Sequence, residues 1–322
     1  MTGTYNVIAS DGRVFPASWI VAGTLEAEAD RICLCVPRAI IVREVILDKH
    51  HGTKQLQRQT KAYEDMRFLE SKDARALRIL AEYLEPLSRF KRCGVQDTIV
   101  FMGSARALSR EAAEAALAEA EAAEIGVAAA RTALELSTYY EAARELSTRL
   151  TIWSKKLDHD ERRFVVCSGG GPGIMEAANR GASEAKGLNV GLTISIPNDE
   201  FDNHYVSHDL HFHFHYFFMR KFWFVYLAKA VVLFPGGFGT LDEFFEMLTL
   251  VQTRKLKKRM PIVLFGAKYW DEVLNLGALV KYGTISPGDV ELFHRTDSVD
   301  EAYDIITRGL TENALGNPGA EL

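Results

Sequence analysis

Hydrophobic residues follow two alternating patterns from residue 98 to the C-terminal part of the chain. Short apolar runs are separated by longer segments in which apolar residues recur at helical spacing. The short runs predict buried β-strands at 98–102, 163–167, 189–196, 230–234 and 261–265. Strands that alternate with helices are typical of a parallel sheet covered on both faces. The pattern therefore predicts an α/β fold with a doubly wound parallel sheet.

The N-terminal part of the chain has a different pattern. Strands are predicted at 14–20 and 39–47, and helices at 54–68 and 73–90. Cys93 and Gly94 then interrupt the pattern, just before the first strand of the main sheet. We therefore expect an accessory region of mixed α/β character over residues 1–94 and a main domain over residues 95–322.

A long segment rich in alanine and glutamate, residues 110–157, separates the first two strands of the main sheet. Its composition has strong helix propensity. The second half carries apolar residues on one helical face and should pack on the sheet: Tyr139, Ala143, Leu146, Leu150, Trp153 and Leu157. The first half predicts a helical insertion near residues 109–135, either a solvated arm or an interface between subunits.

Composition limits the kind of partner. The chain has 322 residues and a formal net charge of -5, which gives no reason to expect nucleic acid or an anionic membrane. Four scattered cysteines are too few for a disulfide framework, and Cys33-Leu34-Cys35 lacks the second pair that a zinc site needs. The N-terminus lacks the features of a secretory signal, and the apolar window 222–234 is too short for a membrane span. We expect a cytoplasmic protein that binds a small molecule.

The segment from Pro235 to Glu243 carries the most chemical information. It has three glycines in four positions, follows an apolar strand and leads into a helix predicted from Phe244. A helix that starts above a sheet presents free N–H groups and a positive dipole end, which favour phosphate. Thr240 and Glu243 also match a capping box, in which both side chains only satisfy backbone N–H groups. Phosphate binding and capping are both open interpretations.

Three other segments should meet this loop, because ligands of open parallel sheets bind above the carboxyl ends of the strands. They are 103–106, the glycine-rich 168–176, and 217–221. Arg220 stands among apolar residues, so its guanidinium needs an anionic or hydrogen-bonding partner. That partner is either a ligand, a structural carboxylate or surrounding water.

Neither glycine loop has the spacing of a dinucleotide fingerprint or of a Walker motif. A mononucleotide or a sugar phosphate remains as the expected ligand. A second cluster, His211, His213 and His215, should lie on one face of an extended segment. One strand does not give the convergence that a metal needs, so a partly exposed strand face is favoured and no metal is expected.

The motifs at 103–106, 168–182, 217–221 and 235–243 together resemble the LOG (Lonely Guy) family, whose motif is PGGxGTxxE. Members are nucleoside 5′-monophosphate phosphoribohydrolases that activate cytokinins, and many carry an old lysine decarboxylase label. The resemblance spans residues 97–310. It implies a modified Rossmann fold, a dimer or hexamer with sites near the subunit interface, and hydrolysis of the N-glycosidic bond without a cofactor.

The resemblance also implies roles for individual residues. The catalytic arginine and glutamate fall on Arg220 and Glu243. Phosphate binding falls on Gly236, Gly237, Gly239, Thr240, Gly170, Gly171, Gly173 and Ser104, and contacts to the base or ribose on Met219 and Glu246. Compact family members have methionine where this chain has Phe217, and they lack the region before residue 95 and the Ala/Glu-rich arm.

Two other functions compete with hydrolysis of AMP or of a cytokinin riboside 5′-monophosphate. The first is a non-catalytic nucleotide-binding or carrier protein on the same fold. A pure binder needs no carboxylate beside the sugar, so Arg220 and Glu243 together favour an enzyme. The second is amino-acid decarboxylation, which needs pyridoxal phosphate on a lysine, and no lysine has a sequence context that singles it out.

Overall fold

The computed structural model describes residues 60–157, 162–196 and 202–320, together with the backbone of three short strands near the N-terminus. The chain divides into two compact units, residues 1–61 and 62–322. In the first unit, β1 (Asn6–Ala9) pairs antiparallel with β2 (Val14–Pro16) and β3 (Ile32–Cys33). The predicted strand at 14–20 coincides with β2 at its start, and the one at 39–47 lies outside the described residues.

The second unit starts with short helical segments. A 3₁₀ turn at Ala62–Glu64 and α1 (Met66–Leu69) occupy the end of the predicted helix 54–68, whose first part lies outside the described residues. The predicted helix 73–90 is confirmed as α2 (Arg75–Arg92). Its apolar face packs on the main hydrophobic core. The division of the chain at residue 94 stays a prediction.

The main sheet has seven parallel strands, which confirms the predicted doubly wound α/β architecture. They are β4 (Thr98–Met102), β5 (Val165–Ser168), β6 (Asn189–Ile194), β7 (His211–Phe214), β8 (Ala228–Leu233), β9 (Ile262–Phe265) and β10 (His294–Thr296). Five of them were predicted as sheet strands and β7 as an extended segment. The sequence did not predict β10, because this short edge strand is polar and mostly exposed.

The order of the strands places a crevice beside the centre of the sheet. The spatial order is β10-β9-β8-β4-β5-β6-β7. The chain therefore builds outward from β4 to β7, returns to the opposite side of β4 as β8, and continues to β10. Ligands of open α/β sheets bind above the carboxyl ends of the strands at such a reversal point. The loops after β4, β5 and β8 meet there.

Helices cover both faces of the sheet. One face packs against α4 (Val127–Ser154), α5 (Ile174–Glu184) and α10 (Val299–Asn313), and the other against α2, α6 (Phe217–Tyr226) and α7 (Phe238–Gln252). The short α8 (Ala267–Val273) and α9 (Leu276–Lys281) follow β9. Ile99 and Phe101 belong to one core, and Val100 and Met102 to the other. Burial on both faces explains why the central strands read as continuous apolar runs.

The Ala/Glu-rich insertion is a helical hairpin. α3 (Arg110–Ala123) packs along the first part of α4, and Ala113 is its one buried residue. Glu124 and Gly126 take left-handed backbone conformations at the turn between the two helices. Farther along α4, Ala143, Leu146 and Leu150 are buried against the sheet, as the helical spacing predicted.

The most apolar window of the sequence is divided between two elements. Its first part ends α6, a helix of ten residues, and its second part is β8 in the middle of the sheet. Both pack in the hydrophobic core. Over the ranges that the structure describes, no helix is long and apolar enough to cross a membrane.

The amino edge of the sheet carries a buried cluster of charged side chains. Arg163 forms an ion pair with Asp97 and donates to the carbonyls of Ala314 (2.7 Å) and Leu315 (3.0 Å). The other Asp97 oxygen accepts from the N–H of Gly319 (3.0 Å). Lys229 lies 3.9 Å from that oxygen and donates to a backbone carbonyl at 2.9 Å. The cluster fastens the C-terminal segment to the sheet.

Candidate active site

The glycine loop after β8, residues 235–239, leads directly into a helix without a side-chain cap. Helix α7 begins at Phe238, and Gly237 takes the position before it without any side-chain cap. Thr240 is therefore the third residue of the helix, and the capping-box interpretation of Thr240 and Glu243 is wrong. The helix starts earlier than predicted. Its first residues follow and include glycines, and no side-chain cap marks the start, so the sequence carries no local signal for it. Its first N–H groups lack intrahelical partners and suit an anion.

Backbone hydrogen bonds join the three loops at this edge. Ser104, after β4, donates its N–H to Pro235 O, after β8 (2.9 Å). Its carbonyl accepts from Ile174, the first residue of α5 (3.1 Å). Gly173 has φ +71°, and a Cβ there would meet the backbone of Ser104 and Ala105. The close approach of the loops therefore requires glycine at 173.

The glycine loop after β5 is held from below by a buried polar network. Ser168 Oγ accepts from Gly170 N–H (3.0 Å) and donates to Asn179 Oδ1 (2.6 Å). Gly170 has φ +68° and lies so close to β6 that a Cβ would meet Thr193 Cγ2 at 2.6 Å. α5 follows with Gly173 before its first residue and no side-chain cap. Two helices with uncapped N-termini thus begin beside the β4 loop.

Arg220 lies in the first turn of α6 and reaches toward the glycine loop. Its Nε donates to Leu192 O (2.6 Å), and Nη2 lies 3.5 Å from Gly169 O. Within the described ranges, the hydrogen-bond partners of the guanidinium are these carbonyls and not a carboxylate. Burial lowers the pKa of Arg220, while Glu243 acts to raise it. The group remains a cation, because an arginine pKa starts above 12.

Glu243 lies on α7 near this arginine and is only 8% exposed. Its Oε2 is buried and has no hydrogen-bond partner among the described residues. Burial raises the pKa of Glu243 to about 7, although Arg220 and Lys221 act to lower it. A carboxyl group with a pKa near neutrality can accept and return a proton at physiological pH. An unpartnered buried carboxylate of this kind is typical of a functional site.

Lys221 joins two helices by ion pairs. Its Nζ forms ion pairs with Asp242 (2.8 Å) and Glu246 (3.0 Å) of α7. Glu246, which the resemblance implied as a base or ribose contact, therefore has a protein partner. Met219, the other implied contact, is 8% exposed and packs in the core. Both roles stay predictions, and neither side chain is free at the mouth of the site.

Two groups that hold the site in shape had no sequence signal. Leu192 supplies a main-chain carbonyl to Arg220, and such a contact is independent of residue type. The Tyr269 hydroxyl of α8 donates to Gly236 O (2.7 Å) and so supports the glycine loop after β8 from the side. Both depend on tertiary packing, because they are distant in sequence from their partners. Neither could be found from local motifs.

The histidine row is a partly exposed strand face, as predicted. Phe212 and Phe214 are buried, whereas His213 points outward between Thr193 Oγ1 (3.0 Å) and Ser195 Oγ (2.8 Å). The Thr193 hydroxyl donates to a backbone carbonyl at 2.7 Å, so it accepts from the Nδ1–H of His213. Among the residues that the structure describes, no group of histidine, cysteine or acidic side chains could hold a metal ion.

Known proteins are similar to parts of this chain. Residues 175–306 match the model of a family described as "Possible lysine decarboxylase". A pyrimidine/purine nucleotide 5′-monophosphate nucleosidase of Escherichia coli strain K12 is 27% identical over 121 residues, which are 33% of this chain and 25% of the relative. The matched part thus spans about a quarter of that relative's length.

Two solved structures are similar to part of this chain. The molybdenum cofactor carrier protein of Chlamydomonas reinhardtii has a TM-score of 0.40 at 17% identity, over 67% of this chain and 99% of that protein. The molybdenum cofactor binding protein of Rippkaea orientalis has a TM-score of 0.39 at 18% identity, over 66% and 96%. Likeness at this level carries no inference about function. The matched residues 175–306 include both Arg220 and Glu243, and this similarity agrees with the family resemblance that the LOG motifs indicated.

Proposed function

We propose that this protein is a nucleoside 5′-monophosphate phosphoribohydrolase. It cleaves the N-glycosidic bond of AMP or of a cytokinin riboside 5′-monophosphate and releases the free base and ribose 5-phosphate. One observation carries the proposal: Glu243, buried and without a partner for Oε2, lies near Arg220, which lacks a carboxylate within ion-pairing distance among the described residues. The nucleosidase name of the distant relative supports the same class of substrate.

The two glycine loops bind the 5′-phosphate. Gly236, Gly237, Gly239 and Thr240 surround the N-terminus of α7, and a Cβ added at Gly237 or Gly239 would meet nothing within 4 Å. Open space above uncapped N–H groups leaves room for the phosphate oxygens. The glycines at 170, 171 and 173 bring the N-terminus of α5 to the same crevice. The phosphate therefore anchors the nucleotide with its sugar toward Glu243.

Glu243 activates water at the sugar. Cleavage of an N-riboside passes through an oxocarbenium-like ribose, which a nearby carboxylate stabilises. The ionised Glu243 accepts a proton from water as the water oxygen bonds to C1′ and the bond from C1′ to the base nitrogen breaks. The departing base gains the proton that the water lost. The products are the free base and ribose 5-phosphate. Glu243 has passed on the proton of the water and is again ionised.

Arg220 stabilises the departing base. A permanently charged guanidinium does not donate its proton at neutral pH, so its contribution is electrostatic. Leu192 O and Gly169 O orient it, and the rest of its N–H groups are left for the negative charge that develops on the base. Arg220 is partly buried, and this strengthens the interaction because water screens it less.

Amino-acid decarboxylation, which the family's description names, fits the site less well. A Schiff base needs a neutral lysine amine, and Lys221 is the lysine beside Arg220. Burial acts to lower the pKa of Lys221, but its ion pairs with Asp242 and Glu246 outweigh burial and raise it. The amine is thus held as a cation. Purified protein should show no absorbance near the 420 nm band of a pyridoxal aldimine.

The test is an incubation with a panel of nucleoside monophosphates that includes AMP, GMP, CMP, UMP and a prenylated AMP. We expect stoichiometric free base and ribose 5-phosphate from at least one of them, separated by chromatography. Glu243→Gln should bind that nucleotide and release no base. Glu272→Gln is the control, because that carboxyl group is exposed on α8. Binding without turnover across the whole panel would contradict the hydrolase and favour a nucleotide carrier.

A further inference from the structure

Helix α6, which bears Arg220, is held at its N-terminus by another helix. The residue before its first turn, Tyr216, makes no side-chain cap. Instead the Glu82 carboxylate of α2 accepts from the N–H of His215 (2.7 Å) and from the N–H of Tyr216 (3.3 Å). A carboxylate at this end also meets the positive end of the helix dipole. Helix α2 therefore fixes where α6 begins.

A second contact joins α2 to α6 farther along. The indole N–H of Trp223 donates to the main-chain carbonyl of Glu82 (2.9 Å). The Trp223 ring packs against Tyr83 and Phe90, with ring centroids 5.9 and 5.3 Å apart. This contact lies about two helical turns beyond Tyr216. Two attachment points on one helix set both its position and its direction.

Arg220 depends on this attachment through its own backbone. Its N–H donates to the carbonyl of Tyr216 (3.1 Å), the residue whose N–H is bound by Glu82. The guanidinium at the other end of the side chain has little room. Its Nε lies 2.6 Å from Leu192 O, and a Cβ added at Gly169 would lie 2.5 Å from Nη2. A shift of the first turn of α6 would therefore move the guanidinium out of this place.

We propose that Glu82 is a positioning residue for Arg220. This inference rests on the proposed function. By binding the start of α6, Glu82 keeps the guanidinium in place at the departing base without any contact to the nucleotide. A misplacement of about 1 Å can slow an enzymatic reaction about 100-fold. The loops after β5 and β8 bind the phosphate, so Glu82 acts on the rate of the reaction and not on the affinity for the nucleotide.

Steady-state kinetics with AMP test this role, at a temperature where circular dichroism shows each variant to be folded. Glu82→Ala should lower kcat about 10- to 100-fold, because the guanidinium is no longer held in place. KM should stay close to that of the wild type, since a group that acts only in the transition state does not change ground-state binding. Glu82→Gln keeps one acceptor oxygen and should fall between the two. A wild-type kcat in Glu82→Ala would overturn the proposal.

Glu85→Ala is the matched control, because this carboxylate lies on the same helix and pairs with Arg89 of α2. It should release adenine at the wild-type rate. A second comparison separates positioning from a general effect on the fold. In an Arg220→Met background, Glu82→Ala should cause no further loss of kcat, since its effect passes through the guanidinium. Loss by the same factor in both backgrounds would show a merely structural role and overturn the proposal.

Amide hydrogen exchange measures the attachment without any nucleotide. Exchange over residues 215–220 should be faster in Glu82→Ala than in the wild type and unchanged in Glu85→Ala. Unchanged exchange in Glu82→Ala would overturn the proposal, because the carboxylate would not hold the start of α6.

The positioning role and the hydrolase can fail separately. If the wild type releases no base from any nucleotide, the proposed reaction is wrong, and faster exchange in Glu82→Ala alone still supports the attachment of the helix that bears Arg220. If adenine is released and Glu82→Ala turns over as the wild type does, the reaction stands and the positioning role is wrong.

Discussion

The two edges of one parallel sheet hold buried charges in opposite ways. At the amino edge, Asp97, Arg163 and Lys229 bind each other and the backbone of the C-terminal segment. At the carboxyl edge, Glu243 keeps a buried oxygen without a partner, and Arg220 is held by carbonyls alone among the described residues. Both edges pack around the same strands, so burial itself does not separate them.

The difference lies in whether the partners come from the chain itself. Buried polar groups in proteins are nearly always hydrogen-bonded, since an unpaired group loses its interactions with water. A satisfied cluster fixes the structure, and an unsatisfied one marks a place where a ligand supplies the missing contacts. The amino edge thus stabilises the fold, and the carboxyl edge leaves room for chemistry.

Removing a charge from the amino edge should have the largest effect. Asp97→Asn leaves Arg163 buried without its counter-charge, which should lower the free energy of unfolding by about 3–5 kcal/mol. Urea denaturation measures this loss. At a temperature where the variant is folded, its rate of adenine release should match the wild type. A variant as stable as the wild type would show that the cluster does not hold the C-terminal segment.

Changing Arg220 at the carboxyl edge should act on the reaction and leave the fold intact. Arg220→Met should lower kcat about 100- to 1,000-fold, because one donor that stabilises developing charge is lost. Arg220→Lys should recover little, since an ammonium cannot reproduce the planar fork. Steady-state kinetics with AMP measure both, with thermal unfolding as the check on folding. A variant that lost stability and activity together would place Arg220 among structural residues.

Neutralising Glu243 should stabilise the protein at alkaline pH. Its pKa is raised to about 7 in the folded chain, against about 4.3 when unfolded. Between these two pKa values the folded state keeps a proton on Glu243 that the unfolded state has released. The free energy of unfolding therefore falls as pH rises through 7. Glu243→Gln removes the cost of burying the ionised carboxylate and should raise the free energy of unfolding at pH 8 by about 1–3 kcal/mol. The gain should disappear near pH 4, and a gain independent of pH would contradict the buried charge.

The pH profile of the reaction should follow the same carboxyl group in the opposite sense. Glu243 must be ionised to accept a proton from water, so kcat/KM should fall below pH 7, by about tenfold per pH unit. Initial rates with AMP from pH 5 to 9 measure this dependence. A limb with its midpoint near 4 would contradict a base whose pKa is raised by burial.

The sequence predicted the fold better than it predicted which groups pair with the buried charged side chains. Continuous apolar runs identified the central strands, because burial on both faces leaves a strong local signal. The start of α7 was predicted at 244 and observed at 238, since glycines hide a helix that begins without a cap. The amino-edge cluster had no signal, because Asp97, Arg163 and Lys229 are far apart in sequence.

The candidate site was likewise predicted only in part. Motifs located Arg220 and Glu243, but only the fold shows that Glu243 lacks a partner and that Met219 is buried. Whether a charged side chain is satisfied depends on groups from other elements. Local sequence cannot reveal it, and three-dimensional contacts can.

The most direct test of this difference between the edges measures AMP binding and adenine release side by side on the wild type, Glu243→Gln and Asp97→Asn. We predict that the wild type releases equal amounts of adenine and ribose 5-phosphate, that Glu243→Gln binds AMP but releases neither, and that folded Asp97→Asn turns over normally. Adenine release by Glu243→Gln at the wild-type rate would contradict the catalytic role of the carboxyl edge.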